Sequence, residues 1–146
     1  MESAVSKTYK YLRILFILCL LFMIAAFIVN TLYAAKHIPE TPNVILERWS
    51  IILTMGGIVG SLKLLHPKLK DNDRKEQSYA IRKYRNIYIY RLIALLSVFI
   101  FNLISLNFTG TKNFVFLAFI TIFAMLLCIP NQKHLKEETS TIKLND

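Results

Sequence analysis

Few of the side chains that could do chemistry in this chain lie close enough in sequence to act together. Glu47 is the one acid well placed inside an apolar stretch, with Arg48 beside it. It can pair with Lys36, Arg48 or Lys112, or join amides from neighbouring stretches in a polar site. Asn30, Asn102 and Asn107 are those amides, each in the half of its stretch that lies toward Glu47. Amides among apolar residues seek partners, at roughly 0.6–2 kcal/mol per hydrogen bond. With Tyr33 and Ser105 they predict an interhelical polar knot, or the floor of a shallow site around Glu47. His37, His66 and His134 are scattered, and Cys19 and Cys128 stand alone with no C-x-x-C spacing, so no metal site is expected. No nucleophile–base arrangement and no cofactor motif can be assembled, so no cofactor is expected and the chain reads as non-enzymatic.

The elements carrying these residues follow from how the apolar residues are grouped. The chain has 146 residues, 55% hydrophobic and 18% charged, with a mean hydropathy of +0.46. The apolar residues come in long blocks and the charges in clusters between them. A bilayer demands that segregation, since a spanning helix needs about 20 mostly apolar residues. Four blocks qualify, at about 12–35, 42–65, 87–107 and 112–129. The first is longer than the apolar core of a secretory leader and lacks a suitable small residue near Ala35, so it reads as a retained helix. Thr41-Pro42 resembles a capped helix start. Pro67 and Pro130 close the second and fourth blocks. Asp73 with Glu76 resembles a capping box, predicting a helix from about residue 73 that runs unbroken into the third block. The polar tail 131–146 lacks aromatic residues and predicts disorder.

Charge orients the chain. All of the 18 Lys and Arg residues except Lys36, Arg48 and Lys112 flank the blocks on one side, most densely in the 66–86 connection. Short basic loops stay cytoplasmic, which predicts cytoplasmic N- and C-termini. From that connection into the start of the third block, Tyr79, Tyr84, Tyr88 and Tyr90 are interleaved with Arg82, Lys83, Arg85 and Arg91. On a soluble protein this would suggest nucleic acid. Where a helix leaves a bilayer it predicts an anchor, with rings at headgroup depth and cations on anionic lipid, and no nucleic acid is expected. Trp49 matches it at the other end.

The strongest local pattern is on the second block. Gly56-x-x-x-Gly60 and Gly57-x-x-x-Ser61 are small-x-x-x-small pairs, and Ser50, Thr54, Gly57 and Ser61 fall on one stripe. Small residues let membrane helices approach closely. The stripe predicts packing within the bundle, or a groove for a partner helix or a second copy.

These readings predict an all-α integral membrane protein: a four-helix, up-down-up-down bundle in which short outer loops make neighbours of helices one and two, and of three and four. A lysine-, isoleucine- and asparagine-rich composition suits a bacterial inner membrane. Small multidrug transporters also have four helices, but the glutamate deep in their first helix has no counterpart between Ile14 and Val29. In size, span number and cytoplasmic ends the chain resembles the immunity proteins that guard bacteria against pore-forming toxins. The resemblance is one of topology and transfers no residue. It implies a non-enzymatic protein working through helix–helix contacts; a small transporter, channel or export accessory using the Glu47 cluster is the alternative expectation.

Overall fold

The computed structural model describes residues 2–140, which contain helices and no strand. Helix α1 spans Glu2–His37, α2 Val44–Val59, α3 Gln77–Thr109, α4 Lys112–Leu126 and α5 Gln132–Thr139. A π-helical turn, Gly60–Leu64, continues α2, and its Leu65 N–H bonds Gly60 O at 3.0 Å. Three helices, α1, α2 with its π turn, and α3, are long and apolar enough to cross a membrane. At 1.5 Å per residue, α1 and α3 run about 50 Å each and α4 about 22 Å.

Helix α3 is the hub. It packs against each of the other four, and α1 and α2 also pack on α4. Its buried stripe of Tyr88, Leu92, Leu95, Phe99 and Leu103 meets Phe16 and Met23 of α1 and Ala118 and Met125 of α4. Away from this core, the helices turn apolar residues outward. Val29 is 65% exposed, Ile52 60%, Phe116 65% and Leu127 71%. Contiguous exposed apolar surface of this extent is uncommon in water, and mirrors what lipid solvates.

The expected contact between the first two helices is corrected. α1 and α2 make little direct contact and lie on opposite sides of the α3–α4 pair. The connecting segment 38–43 crosses over the α3–α4 turn instead of joining adjacent neighbours. Thr41 N–H bonds Thr109 O at 2.8 Å, and the Thr41 hydroxyl bonds the same carbonyl at 3.3 Å. Gly110 makes the crossing possible. It ends α3 at φ +64°, and a Cβ there would lie 2.9 Å from Pro39 O. Six extended residues reach about 20 Å, enough to cross the diagonal of a small bundle.

Three boundaries also differ from expectation. Asn43, not Thr41, caps α2, its Oδ1 accepting from Leu46 N–H at 3.1 Å, while Thr41 is held at the crossing. α3 starts at Gln77 and not near residue 73. Asp73 instead belongs to a 3₁₀ turn, Asp71–Arg74, and its carboxylate accepts from Lys70 N–H at 3.3 Å. The tail is not wholly disordered, because residues 132–139 form α5. Asn131 caps it through Lys133 N–H at 2.9 Å, and Leu135, Glu138 and Thr139 turn one buried face to the bundle. The rest of the tail, 141–146, lies outside the described residues.

Candidate functional site

The small-residue stripe divides into two faces. Ser50, Thr54 and Ser61 are buried, and a Cβ on Gly57 would collide with Val98 Cγ2 of α3. This face is the close approach of α2 to α3. At its centre Asn102 Nδ2 donates to Thr54 Oγ1 at 2.8 Å, both side chains fully buried. Asn102 Oδ1 and the Ser50 and Ser61 hydroxyls have no hydrogen-bond partner among the described residues. Gly56 and Gly60 point elsewhere: nothing lies within 4 Å of a Cβ placed on either. Sequence spacing alone could not separate the two faces, because it does not say where α3 lies.

The outer amides also separate. Asn107 Nδ2 donates to Asn30 Oδ1 at 2.7 Å, and Asn30 Nδ2 to Ala26 O at 2.8 Å. Asn102 belongs to the Thr54 contact, so the structure forms two amide sites. Glu47, half-buried in the first turn of α2, forms neither a side-chain hydrogen bond nor an ion pair among the described residues.

At the basic end, the anchor residues sort by burial. Tyr79, Arg82 and Arg85 are exposed, with the Arg82 guanidinium 6.0 Å from the Tyr79 ring centre. Lys83 pairs with Asp73 at 2.8 Å. The hydrogen bond between them holds the Asp73 carboxyl below its usual range and raises the Lys83 ammonium. Tyr84, Tyr88 and Arg91, expected at the lipid surface, are instead buried. The cause is the return of the chain: the end of α4 and then α5 cover that face of α3. Tyr88 Oη donates to Cys128 O at 2.6 Å, and the Tyr84 ring meets His134 edge-on at 5.9 Å. Burial pushes the Tyr84 hydroxyl up to about 12.

Helix α5 is fastened through Glu138. Its Oε2 accepts from Leu69 N–H and from Arg74 Nη2, each at 2.8 Å. Burial would push this carboxyl up, but the two hydrogen bonds and the Arg74 charge outweigh it and hold it below the usual glutamate range. His134 Nε2 lies 3.2 Å from Pro67 O, and its ring stacks on His66 at 5.1 Å. Partial burial lowers the His66 pKa, and the charges of His134 and Arg91 lower it further. No group of three or more potential metal ligands occurs among the described residues. Sequence reasoning missed this assembly. Its one available signal was Leu135, Glu138 and Thr139 at helical spacing after a Pro-Asn start.

The chain matches no protein-family model, no curated protein and no solved structure. Its class follows from its own residues: an all-helical protein with three helices long and apolar enough to span a membrane.

Proposed function

We propose that this is a four-span protein of a bacterial inner membrane, with both termini cytoplasmic, that acts without catalysis by presenting helix faces to partner membrane proteins. An accessory, assembly or immunity-type role fits this reading. The observation that carries it is the division of α2. One small-residue face is filled by α3, whereas Gly56 and Gly60 leave an open notch on an apolar outer surface. A second membrane helix, from another protein or another copy, can approach closely there. In this reading α4 spans with local bilayer thinning, and Lys112 reaches to the headgroups.

The test is site-directed crosslinking in native membranes from Met55 and Val59, which flank the notch. Adducts lost on Gly60→Leu but kept on Ser97→Leu, an exposed position on α3, support the reading. Absence of adducts from either site, with normal expression, would overturn it. The alternative, a transporter or channel built around Glu47, has less support because Asn30, Asn102 and Asn107 already bond one another or Thr54. Loss of a substrate-dependent flux on Glu47→Gln would favour it.

A further inference from the structure

Arg91 is the one cation of α3 that the fold both buries and leaves without a counter-charge. It is 7% exposed, its Nε has no acceptor, and no carboxylate lies within ion-pairing distance among the described residues. A guanidinium stays charged at any physiological pH, so it cannot escape burial by losing a proton. Buried charges in folded proteins are paired, and a bare one calls for an anion. Arg91 lines a cavity of about 450 Å³ between the end of α4, the start of α5 and α3. Its polar lining also includes His66, His134, Tyr84, Tyr88, Asn131 and Lys133, with Glu137 the single carboxylate.

We propose that this cavity binds a phosphate group, with Arg91 as its buried anchor and Lys133 and Tyr84 as further donors. The planar fork of a guanidinium matches two phosphate oxygens at once, while the Tyr84 phenol and the Lys133 ammonium on the same lining can donate to the others. Glu137 is exposed on α5 and Lys133 lies one turn before it, so the carboxylate can pair there and leave Arg91 to the ligand. The chemistry is shared by a free phosphate and by a lipid phosphodiester. The cavity rim favours the lipid: Leu127 and Ile129 line it and are 71% and 63% exposed, a surface along which acyl chains can run. That choice of source rests on the membrane reading above. The phosphate chemistry does not, and inorganic phosphate tests it without a bilayer.

The experiment uses the full chain in a phosphate-free nonionic detergent, with thermal unfolding and native mass spectrometry as readouts. The probes are dioleoylphosphatidylglycerol, dioleoylphosphatidylcholine and inorganic phosphate. The expected result is saturable binding of phosphatidylglycerol with a rise in Tm, at least tenfold weaker in Arg91→Met. Arg48→Gln, an exposed cation at the opposite end of the bundle, should bind as the parent does. Ligand-free Arg91→Met should melt no lower than the parent, because it removes an unpaired charge; a purely structural Arg91 would make it melt lower. Should Arg91→Met fail to fold, Lys133→Gln with Tyr84→Phe must weaken the same binding. Saturation by inorganic phosphate with no lipid preference would keep the pocket and assign it a soluble phosphate. Equal binding by parent and variants, or no binding of either anionic probe, would overturn the proposal.

Discussion

Asn102 donates its amide N–H to the Thr54 hydroxyl across the close approach of α2 to α3, at 2.8 Å, with both side chains inaccessible. Two helices that share only apolar neighbours could slide past one another, whereas a buried amide fixes their register. Asn102 Oδ1 has no partner among the described residues, so the amide is half satisfied. Thr54→Val should therefore cost more than its small change in shape suggests, because it orphans the donor as well. A Thr54→Val/Asn102→Leu cycle, measured by reversible unfolding in mixed micelles, should give a coupling energy of about 0.6–1.7 kcal/mol. Additive single effects would show that the bond contributes nothing net.

Gly57 and Gly56 are adjacent in sequence and should respond oppositely. Gly57→Ala drives a methyl group into Val98, and overpacking of that kind costs about 1–3 kcal/mol. Gly56→Ala meets open space and should leave unfolding unchanged or slightly favoured, as alanine is the better helix former. Gly57→Ala/Val98→Ala should recover much of the loss. Unfolding of the parent and these three variants in one detergent measures this directly.

Gly110 should tolerate no side chain. It sits at φ +64° beneath the carbonyls of Ile38 and Pro39. Gly110→Ala combines left-handed backbone strain with a close approach to Pro39 O, for a cost of about 1–3 kcal/mol. Faster proteolysis within segment 38–43 would report that the crossing has loosened, and an unchanged rate would contradict the account.

Acid should release α5. Glu138 has a lowered folded pKa, so its contribution is complete above the ordinary glutamate value of 4.5 and is lost as pH falls through the folded value. His66 is also lowered, so its contribution is complete above about 6.5 and declines below that. Both act in one direction. Hydrogen exchange over residues 132–139 should quicken below about pH 6.5, after correction for intrinsic rates, and again below about pH 4.5. Glu138→Gln should abolish the second step and keep the first. Exchange that slows on acidification would contradict the linkage.

What the residue order reveals here is set by distance along the chain. The apolar blocks are local patterns, so the long helices are legible, as is the closure of α2 before Pro67. The Tyr–basic run was legible as a pattern, but the burial of Tyr84 and Tyr88 was not, because the end of α4 and α5, which cover them, follow about 40 to 50 residues later. Asn102 and Thr54 were separately visible as polar residues in apolar blocks, yet nothing local pairs them. The diagonal position of α2 depends on Gly110, whose φ no neighbouring residue encodes.

The most direct test of the central claim is labelling of single cysteines with a membrane-impermeant maleimide in intact cells. The background carries Cys19→Ser and Cys128→Ala, and the variants are Glu40→Cys in the crossing segment and Lys70→Cys in the basic connection. The account predicts that Glu40→Cys is labelled from outside, and Lys70→Cys only after the membrane is opened. Labelling of Lys70→Cys in intact cells, or release of the chain from membranes by alkaline carbonate, would contradict it.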